Sequence, residues 1–250
     1  MAFFKVLGSL EVLYEKGVCT PTAPKVRRVL AHLLMNANQI VHIDSLIDEL
    51  WAESPPLSAT TTTQTYIYQL RKLIAKKGLA ADGEMLVTRA PGYLLRVRPG
   101  QLDADRFTQL TTQGRALLDK GMAAEASDRL RTALDLWTGP PLSNVTLGNH
   151  LRAYAAYLEE ERLRATELRI EADIRLGRYR ELIGELRSLV IAQPLNEWFH
   201  RQLIGILTQC GRRNEALQAY QNLRAVLNDE LGLEPSAEVQ LLHRDILAIG

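Results

Sequence analysis

The 250-residue sequence predicts an α+β domain followed by an all-α domain, and three observations carry that reading. Apolar residues alternate with period two only near residues 3–22 and 85–97. Three amphipathic helical stretches lie between those regions. From Asp103 onward strand signals stop, and helix follows helix with a turn that recurs after 34 residues. The expected domains are therefore 1–100 and 103–250.

Residues 3–14 place Phe4, Val6, Leu10, Val12 and Tyr14 on one side, which predicts a strand bent at Gly8. Glu15-Lys16-Gly17 reads as a turn and Val18–Thr22 as a short return strand. Pro24 is tolerated near the start of a first helix over about 25–36, whose buried face carries Val26, Val29, Leu30, Leu33 and Leu34. A second helix over about 43–51 has Ile43, Leu46, Ile47, Leu50 and Trp51 at i, i+3, i+4, i+7 and i+8. After the loop ESPPL, Ser58 is the expected N-cap of a third helix running to Gly78.

That third stretch is the most informative. Thr63, Ile67, Leu70 and Ile74 form its apolar stripe, while Thr62, Thr65, Gln69, Lys72 and Lys76 lie opposite, with Tyr68 and Arg71 on the flanks. The outer face is uncharged at its front, basic at its back (Arg71, Lys72, Lys76, Lys77), and carries no acid. Threonine and glutamine side chains can read base edges while lysine and arginine neutralise phosphates. A loop follows, then MLVTRAPGYLLRV (85–97), which reads as a hairpin around Pro91-Gly92. Strands, three helices and a terminal hairpin give the order of a winged helix-turn-helix, the hairpin being the wing.

Helices are predicted at about 104–119, 121–136, 149–176, 178–192, 195–210, 212–230 and 236–248. Leu176-Gly177-Arg178 and Cys210-Gly211-Arg212 stand 34 residues apart, and Lys120-Gly121-Met122 is a more divergent copy. A helix-turn-helix period of 34 is the tetratricopeptide spacing, in which each helical pair buries its apolar face on its neighbour.

Net charge is +1 overall but +4 over residues 1–100, which fits a nucleic-acid-binding front half. Cys19 and Cys210 form no CxxC, no apolar run approaches a membrane span, and the N-terminus lacks a signal-peptide pattern, so a cytoplasmic protein is expected. An enzyme is disfavoured. The five histidines lack metal-ligand spacing, and no GxSxG, HExxH or phosphate loop occurs. No catalytic residue, metal or cofactor is expected. Acidic runs beside arginines, such as Glu160 with Arg164 and Glu171 with Arg175, read as ion-paired helix faces.

Taken in order, LIDELWAESPP, TYIYQLRKLI and LVTRAPGYLLRV resemble the DNA-binding domain of the OmpR/PhoB-type winged-helix group. The proline in the wing and the helical domain behind it resemble the Streptomyces antibiotic regulatory protein family. LDADRFTQL, ALDLWTGPPL, EERLRATELRIEADIRLGR and EALQAYQNLRAVLNDELGLEPSAEVQLLHRDIL are similar to its bacterial transcriptional activation domain. The resemblance implies an activator of a secondary-metabolite (antibiotic) gene cluster. It would work at the nucleoid, bind direct repeats in promoter DNA as a tandem homodimer and recruit RNA polymerase holoenzyme. It also implies base-facing roles for Thr62, Thr65, Tyr66 and Gln69. Arg71 and Lys72 would face phosphates, as would Trp51 through its indole nitrogen, Arg89 would enter the minor groove or touch a phosphate, and Lys25, Arg27 and Arg28 are further phosphate candidates. Three departures stand out: Leu94 where the family has an arginine, His42 in place of a Ser or Thr cap, and a β-branched run at Thr60–Thr63. The chain starts at its first strand and has no GxxxxGK[ST], so neither a receiver domain nor an NTPase is expected, as in the family's small form.

The alternative reading is a tetratricopeptide-type adaptor or ligand sensor whose winged helix serves protein contacts. Tyr154, Tyr157, Trp198 and Phe199 would then line a groove, although at helical spacing they also suit a core.

Overall fold

A computed structural model describes residues 2–15, 17–79 and 85–248. Lys16 in the first expected turn and residues 80–84 in the loop after the third helix lie outside the described residues. By packing, the chain divides into two compact units, Met1–Arg169 and Ile170–Gly250, and the expected boundary near residue 100 falls inside the first.

The first unit opens on a three-stranded antiparallel sheet of β1 (Phe3–Lys5), β2 (Glu11–Tyr14) and β3 (Gly17–Val18). The expected single bent strand is thus a hairpin, with Phe4 opposite Val12. The alternation survives because Phe4, Val6, Leu10 and Val12 are all buried, but the chain reverses through residues 6–10. Helices α1 (Pro24–Met35), α2 (Ile43–Trp51) and α3 (Ala59–Lys76) follow where the apolar spacing put them. A second sheet joins β4 (Ile40–His42) to the wing hairpin of β5 (Leu86–Arg89) and β6 (Gly92–Leu95), in the order β4-β6-β5. β4 was not anticipated, because three residues with one buried side chain give no readable alternation.

The first unit continues through α4 (Asp103–Asp119), α5 (Ala123–Leu134) and most of α6 (Asn149–Arg175). A carboxylate and an amide stitch this region to the turn between β1 and β2. Buried Asp103 accepts from Val6 N (2.9 Å to each oxygen), Leu7 N (3.1 Å) and Ala104 N (2.8 Å). Asn144 accepts from Leu10 N at 2.8 Å and donates to Leu10 O at 3.1 Å. One apolar core runs from Phe4 and Leu33 through Ile67 and Leu95 to Phe107, Trp137 and Leu158.

The second unit holds α7 (Tyr179–Ala192), α8 (Glu197–Gln209), α9 (Arg213–Leu231) and α10 (Ala237–Ala248). The repeat seen in the sequence is a repeat of backbone chemistry. Gly177 and Gly211 both adopt φ +72°, and Gly121 in the first unit φ +76°. At each turn the glycine and the following residue donate to carbonyls of the preceding helix. Arg212 N reaches Leu207 O at 2.8 Å, Arg178 N reaches Asp173 O at 3.0 Å and Met122 N reaches Leu117 O at 2.9 Å. A left-handed residue is needed to close this helix end, and glycine adopts that conformation without a Cβ penalty.

Candidate nucleic-acid interface

α3 is held from within by Ala59, Thr63, Ile67, Leu70 and Ile74, all buried. Ser58 sits at the N-cap, but its side chain caps no backbone amide; the Thr62 hydroxyl lies 3.4 Å from it. The β-branched run is accommodated by back-bonding, with Thr63 Oγ1 donating to Ala59 O (2.8 Å) and Thr65 Oγ1 to Thr61 O (2.9 Å). Thr65 is exposed, and a hydroxyl that has donated its proton still has two lone pairs with which to accept.

The outward face is a second helical stripe of Thr61, Thr65, Tyr68 and Lys72, with Gln64, Gln69 and Lys76 beside it, every one exposed. Thr62 is half-buried. Tyr66 differs from its three expected companions, because it neighbours the buried stripe and its ring packs against the core. Thr61, Gln64 and Tyr68, which are not among the expected base-facing residues, share this exposed face. The signal for two of them was present, since Thr61 and Tyr68 share helical spacing with Thr65 and Lys72.

The expected phosphate residues separate into two groups. Lys72 and Arg89 are exposed, Arg89 at the end of β5 beside the wing turn. The others have partners inside the fold. Arg27 donates to Pro21 O (3.0 Å), Asn144 O (2.8 Å) and Thr22 O (3.2 Å). Arg28 donates through Nε to Glu49 Oε1 at 2.9 Å and through Nη1 to Leu50 O at 3.4 Å. Arg71 reaches Leu86 O and Thr88 Oγ1 on β5, and lies 5.9 Å from the Tyr93 ring centroid. Lys25 donates to Leu50 O at 2.9 Å with its ammonium 4.8 Å from the ring centroid of half-buried Trp51. Burial, and secondarily Arg28, hold the Lys25 pKa below its ordinary value. Sequence marks a cation but not the partner it finds 21 or 117 residues away.

In the second unit a groove of about 380 Å³ is lined by Val190, Ile191, His200, Leu203 and Leu207 together with the paired Arg187 and Glu215. The expected aromatic lining is elsewhere. Phe199 is fully buried with Trp198 edge-on to it, and Tyr154 stacks on Tyr157 in the first unit. Among the described residues no group of three or more His, Cys, Asp or Glu could hold a metal ion, and no helix is long and apolar enough to cross a membrane.

Residues 102–247 match the family described as bacterial transcriptional activator domain, and residues 18–95 match transcriptional regulatory protein, C terminal. The chain is 40% identical to regulatory protein DnrI of Streptomyces peucetius, over 97% of this chain and 90% of DnrI. It is 37% identical to transcriptional regulator RedD of Streptomyces coelicolor, over 90% of this chain and 65% of RedD. The structure of Mycobacterium tuberculosis EmbR in complex with a low affinity phosphopeptide superposes with a TM-score of 0.92 at 32% identity, covering 99% of this chain and 65% of EmbR.

Proposed function

The chain belongs to the Streptomyces antibiotic regulatory protein family of transcriptional regulators, and on that premise we propose that it is a sequence-specific DNA-binding activator of a secondary-metabolite gene cluster. The exposed face of α3 carries the proposal, because Thr65 and Gln69 lead and Lys72 and Lys76 follow along one helix surface. Such a helix lies in the major groove with its polar front on base edges and its cations on phosphates. Thr62, Thr65 and Gln69 read bases, with Thr61 and Tyr68 beside them. Lys72 and the Trp51 indole contact backbone, and Arg89 carries the wing to the minor groove. Arg27 and Arg71 hold the frame that presents these groups, while Arg28 is engaged by Glu49.

Each protomer reads one direct repeat, and two protomers in tandem make a head-to-tail contact rather than a two-fold one. The helical domain then recruits RNA polymerase holoenzyme. Fluorescence anisotropy against the chain's neighbouring promoter fragments and a scrambled control, at several salt concentrations, tests the reading. The expected result is a preference of about 10³ or more with a steep negative salt slope. Weak, equal binding to both DNAs would overturn it in favour of an adaptor role for the helical domain.

A further inference from the structure

The residues that join α2 to α6 have a chemistry that DNA reading does not use. Glu49, on the last turn of α2, is 1% exposed, yet both oxygens of its carboxylate are occupied. Oε1 accepts from Arg28 Nε (2.9 Å) and Gly148 N (2.6 Å). Oε2 accepts from His150 N (3.0 Å) and Leu151 N (3.2 Å). These backbone amides belong to the first turn of α6, a 27-residue helix, and to the residue before it. Alongside, His150 Nε2 meets Asp48 Oδ2 at 2.9 Å.

Helix starts are ordinarily capped by a neighbouring Ser, Thr, Asp or Asn. Gly148 has no side chain to offer, and a Cβ there would fall 2.3 Å from Glu49 O and 2.6 Å from Glu49 Oε1. The cap is therefore imported from about 100 residues away, as a buried charge paired with Arg28. A buried ion pair is an inefficient source of stability, and its best attested use is to fix register. All four partners of the carboxylate are donors, two to each oxygen, so an amide of the same shape would set its NH₂ against two of them.

We propose that Glu49 is a positioning residue that couples DNA reading to activation, by clamping the first turn of the activation domain's α6 to the helix that precedes α3. The clamp lies outside the α3 surface, so the two activities are separable. The proposal rests on the activator reading above.

The test uses the full chain and two variants, Glu49→Gln and Gly148→Ala, with three measurements. These are anisotropy on the preferred promoter fragment, single-round transcription from that fragment with RNA polymerase holoenzyme, and hydrogen exchange at the His150 and Leu151 amides. In both variants DNA affinity should stay within about threefold of the native protein, transcription should fall at least tenfold, and the two amides should exchange at least tenfold faster. Transcription within twofold of native, or unchanged exchange, overturns the coupling. DNA affinity lost together with transcription also overturns it, because Glu49 would then belong to the folding of the reading domain itself. A native protein that neither binds DNA specifically nor activates sinks the activator reading instead, and the native control separates that failure from the others.

Discussion

Arg71 Nη2 donates to Thr88 Oγ1 at 2.7 Å, so a cation on the expected reading helix is tied to the strand that leads into the wing. Its Nε reaches Leu86 O at 3.1 Å, and the guanidinium faces the Tyr93 ring. Arg71 thus sets the wing relative to α3. Arg71→Ala should weaken binding to every DNA fragment alike and cost about 1–2 kcal/mol in chemical denaturation. The log–log salt slope should move by less than one. A slope shallower by a full unit would return Arg71 to the phosphate contacts.

Gln69 is exposed beside Thr65 and Lys72, and a glutamine amide can pair bidentately with adenine. Gln69→Ala should relax discrimination at one base position by about 1–3 kcal/mol while leaving other positions unchanged. Affinities across a set of single-base operator variants provide the check. Equal losses on all of them would remove Gln69 from the reading set.

His32 and Asp103 titrate in opposite senses. Burial takes His32 from 6.5 down to about 4, against the pull of Glu49; its Nδ1 is buried without a hydrogen-bond partner. A depressed folded pKa gives stability that is complete above pH 6.5 and lost as pH falls through about 4, on the order of 3 kcal/mol. Burial takes Asp103 from 3.8 up to about 6, against the three backbone amides it accepts. Its contribution is complete below pH 3.8 and lost as pH rises through about 6. Native stability should therefore change little between pH 4 and 6 on account of this pair. In denaturant titrations at pH 7 and 4.5, His32→Gln should lose less stability on acidification than the native protein does. Parallel losses would show that His32 does not titrate in this range.

Ile67 is 1% exposed at the centre of the buried stripe of α3. Ile67→Ala should cost about 2–5 kcal/mol. Because that stripe carries the reading face, the variant should lose specific DNA binding as it unfolds. Urea melts followed by helical circular dichroism, run beside anisotropy, would reveal whether the two losses share one midpoint.

Helices were the most legible part of the chain. All ten among the described residues lie within a few residues of their expected limits, because most carry at least two turns of 3.6-residue apolar spacing. The recurrence of Gly121, Gly177 and Gly211 was readable for the same reason, since one backbone requirement repeats. Short strands were not. β4 is three residues long, and the period-two pattern of residues 3–14 continues through a chain reversal that alternation alone does not mark. The outer face of α3 was readable from spacing, except that Tyr66 turns inward at its edge. Cations were the weakest part. Arg27 and Arg28 look like surface charge in sequence, but their partners include Asn144 and Glu49. Spacing gave no signal for Glu49, which stands at i+6 from Ile43, off the stripe of Ile43, Leu46, Ile47, Leu50 and Trp51, and is buried where residues 148–151 meet it.

The hydrogen bonds from the Val6 and Leu7 amides to Asp103, and from the Leu10 amide to Asn144, bear on how such regulators can be recombined. A winged helix cut free near residue 100 would leave the Val6, Leu7 and Leu10 amides without acceptors and would bare the core face that meets Phe107 and Trp137. Residues 1–169 pack as one compact unit, so a DNA-binding module exchanged between family members keeps these contacts when the segment through Asn144 travels with it. A module cut at residue 100 loses these contacts, whereas one that runs through Asn144 keeps them.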